Sequence, residues 1–219
     1  MSAGMSVLIV SAVIFIIYGV ISVRYDRYKR EKKEAFRRYW EEKGYQFGAW
    51  SEYGDEGYSL KRDDWELYVC KSKSSTSTEW LQESEFRTRR RDPERRTFAL
   101  QYAASSIPFE ELPEMVRQSA VSALRIVFRD SLSQLSSVRT AFTQGGMACL
   151  AFEPEAGSAQ RVIERLQPEI ACWSGKMKLY FESTPDSVKV RLENFYIDRP
   201  EEAEAVIRMG LILLERYPV

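Results

Sequence analysis

The chain has 219 residues, with 32 basic and 32 acidic side chains and no histidine. An apolar fraction of 44% and a balanced charge exclude a disordered chain. The missing histidine excludes Ser-His and Cys-His nucleophile activation and histidine-based metal sites. Cys70, Cys149 and Cys172 are odd in number, widely spaced and unlike a zinc pattern, which fits reduced thiols buried as small hydrophobes.

Met5 to Val23 reads MSVLIVSAVIFIIYGVISV, without a charge. At 1.5 Å per residue it reaches across a hydrocarbon core of about 30 Å. No basic n-region precedes it and no small-x-small exit follows, so it is expected to be a transmembrane helix rather than a cleaved signal peptide. Residues 1–4 are then a short extracytoplasmic N-terminus. Basic residues crowd the other flank, from Arg24 through Arg38, and basic flanks stay inside. The expectation is a single-pass integral membrane protein, N-terminus out, with its body in the cytoplasm. Tyr18, Arg24, Tyr25, Arg27 and Tyr28 are the expected membrane-interface residues, in contact with lipid.

Residues 24–43 continue as a juxtamembrane helical stalk. Tyr25, Tyr28, Lys32, Ala35, Phe36, Tyr39 and Trp40 recur at three-to-four-residue spacing, making one stripe aromatic, with charges on the other faces. Gly44 is placed to stop it. Two readings compete: a helix lying on anionic headgroups, or a rigid stalk. The interleaved Asp26, Glu31 and Glu34 favour the stalk.

Residues 44–105 read as a β-rich lobe. Glycines punctuate an aromatic run up to Tyr58. Tyr58–Arg62 and Trp65–Lys71 alternate as strands around an Asp63-Asp64 turn. That acidic pair has no calcium-loop spacing, so no metal is expected. Trp80–Arg91 and Arg95–Ala103 suggest a long hairpin turned by Asp92-Pro93-Glu94-Arg95. Arg87, Arg89, Arg90, Arg91, Arg95 and Arg96 crowd its tip, giving residues 87–96 a net charge of +4. They are the candidate binding residues, for anionic lipid or an acidic partner. No aromatic interleaves them for base stacking, so no nucleic acid is expected.

Residues 106–219 read as an α+β lobe, separate from residues 44–105 or continuous with them. A helix within 106–136 buries Val116, Ala120, Ala123, Leu124, Val127, Phe128, Leu132 and Leu135. Strands flank Gly145-Gly146, and a helix follows Gly157-Ser158, with Pro168 expected to kink or shorten it and Gly175 to end it. Two further strands follow. A last helix opens on a capping box from Asp198 to Glu201 and buries Ala203, Val206, Ile207, Gly210, Leu211 and Leu214. The fold class is therefore α+β: an antiparallel sheet with helices on one face, behind a membrane anchor.

No glycine-rich loop joins a strand to a helix, and no catalytic pattern, cofactor or small-molecule substrate is evident. The expected function is a non-enzymatic binding or scaffold subunit at the cytoplasmic membrane face, with a protein partner or a second copy. The alternatives are a surface that reads anionic lipid and a histidine-free enzyme built on Cys70 or on Asp63 and Asp64.

Overall fold

The computed structural model describes residues 3–52, 54–73, 80–88, 90–95, 97–104, 109–128, 137–144, 147–153, 160–173 and 178–215. The chain divides into two units, Met1–Gly44 and Tyr45–Val219.

The first unit is one helix, α1 (Ala3–Glu42), about 60 Å long at 1.5 Å per residue. Exposed i,i+4 pairs Arg27–Glu31, Glu34–Arg38 and Arg37–Glu41 lace its second half, each contributing about 0.3–0.5 kcal/mol. Gly44 ends it as expected: its φ is +81° and its N–H donates to the Glu41 carbonyl. Residues 5–23, expected to span a membrane, lie inside α1. Among the described residues no helix is long and apolar enough to cross a membrane; the side chains of residues 1–14 and of Ile16 lie outside the described ones.

The second unit is built on one antiparallel sheet of nine strands. They are β1 (Gln46–Glu52), β2 (Asp55–Arg62), β3 (Trp65–Lys73), β4 (Trp80–Thr88), β5 (Phe98–Ala104), β6 (Ser137–Gln144), β7 (Met147–Glu153), β8 (Leu179–Ser183) and β9 (Val188–Glu193). Their order is β1-β2-β3-β4-β9-β8-β5-β7-β6. Residues 44–105 and 106–219 are thus not separate lobes: β4 pairs with β9, and β5 with β7 and β8. The helices are α2 (Glu114–Val127), α3 (Gln160–Cys172) and α4 (Pro200–Leu214).

Alternation divides the sheet's side chains between two faces. Leu60, Leu67, Phe86, Val190, Phe181 and Leu100 follow one another across six strands in register. All six are fully buried. This is the core face, and α4 covers it. Gly210 of α4 meets Phe86 so closely that a Cβ there would stand 2.3 Å from the ring. The segment leading into α4 is fixed on the same face: Tyr58 Oη donates to the Ile197 carbonyl at 2.9 Å, and Ser84 Oγ to the Phe195 carbonyl at 2.8 Å.

Helices occupy both faces, contrary to the one-sided expectation. Leu124 and Phe128, at the end of α2, pack with Ala99 and Tyr180, whose side chains point away from the core face. The Phe128 and Tyr180 rings meet edge-on at 5.8 Å. Arg191 secures this docking by donating to the Val127 carbonyl at 3.3 Å, a cation at a helix C-terminus. Of the stripe expected on α2, Leu124 and Phe128 are buried and Val127 and Ala120 half-buried, but Val116 and Ala123 are exposed; Leu132 and Leu135 lie outside the described residues.

The expected long hairpin of residues 80–103 does not form, because β9 and β8 lie between β4 and β5. Its turn does form: Arg95 N–H donates to the Asp92 carbonyl at 3.0 Å. The turn is part of a link that passes the β8–β9 connection. In the last third the order strand, strand, helix, strand, strand, helix is as expected. The residues at 145–146, 157–158 and 175 lie outside the described ones. α3 is not cut short at Pro168; it continues to Cys172. α4 has no capping box; its N-cap is Arg199, Pro200 follows, and Arg199 pairs with Glu202. It buries Met209 and Leu213 where Leu211 and Leu214 were expected.

Candidate functional site

The sheet face opposite α4 is covered by α2 only over β5 and β8. Across β2, β3, β4 and β9 no described helix covers it, and most of its side chains are charged, polar or aromatic. One row runs Lys61, Glu66, Arg87, Lys189, Glu182 in register. Lys61 Nζ lies 3.4 Å from Glu66, whose other oxygen accepts from Arg87 at 3.0 Å; Lys189 stands 3.9 Å from Glu182. The part-exposed pairs on Glu66 contribute little to stability but fix side-chain positions, while Glu182 is buried.

Glycine opens an aromatic seat on this face. Trp50 on β1 lies opposite Gly57 on β2 and crosses it to stack on Tyr68 of β3, with centroids 4.9 Å apart. A Cβ on Gly57 would come within 2.6 Å of the Trp50 ring and 2.2 Å of the Val69 carbonyl oxygen. Arg87 caps the array, its guanidinium carbon 5.0 Å from the Tyr68 ring centroid.

Beside it lies a groove of about 570 Å3, lined along its floor by Tyr68, Cys70, Arg191 and Glu193. Ile126 of α2 and Leu81 of β4 stand among its lining residues, 65% and 59% exposed. Tyr180 Oη donates to Glu193 at 2.8 Å, and Arg191 stacks on the Tyr180 ring at 5.1 Å. Burial, then the hydrogen bond with Cys70, pushes the Tyr68 hydroxyl up to about 12.

Glu85 stands in register between Tyr68 and Arg191. Burial raises its pKa despite the opposing pull of Lys189, Arg87 and Arg191. A raised folded-state pKa means that ionising Glu85 weakens the fold. Its contribution is present below the ordinary carboxylate pKa and lost as pH rises through the folded value. Glu85→Gln is therefore expected to gain on wild type between pH 4 and pH 7 in urea melts. A gap that moves the other way contradicts this account of Glu85.

The expected arginine cluster is dispersed. Arg87 belongs to the open face. Arg89 and Arg96 lie outside the described residues. The remaining three grip the link between β4 and β5. Arg90 lies 3.5 Å from Asp64, and Arg91 3.4 Å from Asp186 in the β8–β9 connection. Arg95 donates to the Arg90 carbonyl at 3.0 Å and the Thr184 carbonyl at 3.1 Å. Asp92 N–H donates to Pro185 at 2.7 Å. Arg95 ties the crossover down through two carbonyls, whereas Arg90 and Arg91 make exposed ion pairs across it. Arg95→Ala is expected to lower stability by about 1–2 kcal/mol, the loss of two hydrogen bonds from a charged donor. Arg91→Ala, whose pair is exposed, should change it by less than about 0.5 kcal/mol. Equal effects in denaturant melts would contradict this division.

Tyr18, Arg24, Tyr25, Arg27 and Tyr28 all sit on α1, exposed. Tyr18 and Tyr25, seven apart, share a stripe. Phe15, Ile17, Val20, Ile21 and Val23 are exposed around them.

The catalytic candidates do not converge. Asp63, at φ +54°, and Asp64 form the β2–β3 turn, with the Asp64 carbonyl accepting from Thr88 at 2.7 Å. Cys70 is six residues from Asp64 along a strand, about 20 Å away, and contacts Ser72 Oγ at 3.6 Å. Among the described residues no three histidine, cysteine or acidic side chains are grouped to hold a metal ion. The open face was missed in the sequence; its signal was Trp50 seven residues before Gly57, with Tyr68 beyond, a pattern that becomes a site only once the strands are paired. No family model, curated protein or solved structure matches the chain.

Proposed function

We propose that this chain is a non-catalytic binding subunit whose open sheet face receives a protein partner, and that the apolar start of α1 holds it at a membrane with the sheet unit on the cytoplasmic side. The observation that carries this reading is the open face itself. Among the described residues no helix covers β2, β3, β4 and β9 on that side, and the face carries a Trp50–Tyr68–Arg87 array beside a groove of mixed charge. Aromatic residues and arginine are the side chains that anchor protein contacts. The exposed apolar residues from Phe15 to Val23, next to a basic flank, support the membrane tether. The alternative is a surface that reads anionic lipid through Arg90 and Arg91, whose side chains are exposed, whereas Arg95 is held by the Arg90 and Thr184 carbonyls.

The test is a pull-down of the full chain from gently solubilised membranes, wild type beside Tyr68→Ala and Arg191→Glu. The reading expects one stoichiometric companion that wild type holds and both variants lose. A companion retained by both, or none at all, sinks it.

A further inference from the structure

The outer edge of the sheet carries a feature that the open face does not explain. β1 ends the strand order, so among the described residues no strand pairs with its outer side. Two residues separate Glu52 from its partner Asp55, which makes those two a hydrogen-bonded pair of a tight hairpin. Alternation then turns the main-chain groups of Gln46, Gly48, Trp50 and Glu52 toward β2. Those of Phe47, Ala49 and Ser51 point outward.

Exposed edges are ordinarily blunted by lysine, proline, a bulge or brevity. β1 has seven residues, QFGAWSE, in unbroken register with β2, with no proline or lysine and one charge, at its end. The side chains flanking the seam also leave it clear. Trp50 leans inward over Gly57 toward Tyr68. Gly48 and Ala49 are exposed and small.

We infer that β1 pairs antiparallel with β1 of a second copy of this chain, with Ala49 on the two-fold axis, joining two nine-stranded sheets into one. The occupant follows from the strand's own pattern. A two-fold axis at Ala49 aligns all seven residues and makes Ala49–Ala49 a hydrogen-bonded pair. It places Gly48 opposite Trp50, at the closer, non-hydrogen-bonded spacing where a glycine gives the indole room. It sets Glu52 against Gln46, so no like charges meet. A two-residue shift of the axis would shorten the pairing. The interface is isologous and closes on itself as a dimer, leaving no β1 edge to propagate. This pairing does not depend on what the open face binds.

The test uses the full chain in detergent, sedimented over a range of concentrations. Wild type is expected to dimerise. Ala49→Pro removes an outward N–H that the sheet does not use, so it should keep the circular dichroism of wild type, and its urea midpoint at concentrations where both are monomeric. Its dimer dissociation constant should rise by about tenfold or more. Wild type that stays monomeric, or an Ala49→Pro dimer as tight as wild type, overturns the proposal. Should Ala49→Pro misfold, Ala49→Cys decides. Paired Ala49 positions stand about 5.5 Å apart at Cα, within disulfide reach, whereas Ser51 and its copy are about 14 Å apart. Under mild oxidation Ala49→Cys should form linked dimers several-fold above both Ser51→Cys and wild type with its own cysteines; equal yields overturn the proposal.

Discussion

Phe86→Ala is expected to destabilise the sheet unit by about 3–5 kcal/mol, the range for deleting a fully buried aromatic ring. Phe86 is central on the core face of β4, between Leu67 and Val190 in register. Its ring lies 5.1 Å from that of Trp65 and fills the notch left by Gly210 on α4. Removing it opens a cavity that a sheet hydrogen-bonded on both sides and a helix cannot readily close. Gly210→Ala acts on the same contact from the other side, because its Cβ would overlap the ring; it is expected to cost about 1–3 kcal/mol. The two changes should couple: Gly210→Ala should cost much less in the Phe86→Ala background, since the ring it strikes is gone. Urea melts of the full chain in detergent give all four stabilities. Additive losses, or a Phe86→Ala loss under about 1 kcal/mol, would mean that α4 does not pack on β4 in this way.

Gly57→Ala is expected to cost about 3 kcal/mol or more, at the upper end of overpacking. The reason lies in the backbone: the new methyl would stand 2.2 Å from the Val69 carbonyl oxygen, an atom held in the ladder, and 2.6 Å from the Trp50 indole. A side-chain clash can relax by a rotamer change, but this one requires β2 and β3 to separate. The change should also disturb the open face by lifting Trp50 from Tyr68, so its loss of stability should come with altered tryptophan fluorescence. Trp50→Ala removes the indole without touching the backbone and should cost less. The reverse order would place the strain in the ring rather than in the strand.

Local chemistry was legible wherever one residue type serves one conformation. Gly44 at positive φ, the Asp63-Asp64 turn and the Asp92–Arg95 turn all stand where their residues predict. Pairing was not legible, because it depends on contacts far apart in sequence. Asp92-Pro93 specifies a turn; it says nothing of whether the strands on either side are neighbours, and here β8 and β9 lie between them. For the same reason the arginines gathered in sequence are parted in space, Arg87 to the open face and Arg95 to the crossover. β1 escaped notice because Gly48 and Ala49 interrupt its alternation; both are tolerated at an edge. α2 was assigned to the core face because its apolar stripe is real, but Leu124 and Phe128 use it on the opposite side, against Ala99 and Tyr180. The capping box failed because Arg199, next to Pro200, adopts the extended N-cap conformation instead of Asp198.

Photo-crosslinking in native membranes tests the reading of the open face most directly. A photoreactive residue is placed in turn at Glu83, in the groove, and at Asp186, on the β8–β9 connection beside the arginine crossover. The account predicts one discrete crosslinked partner from Glu83 and none from Asp186. Crosslinks to protein or lipid from Asp186, with Glu83 silent, would contradict it and return the binding role to the arginines.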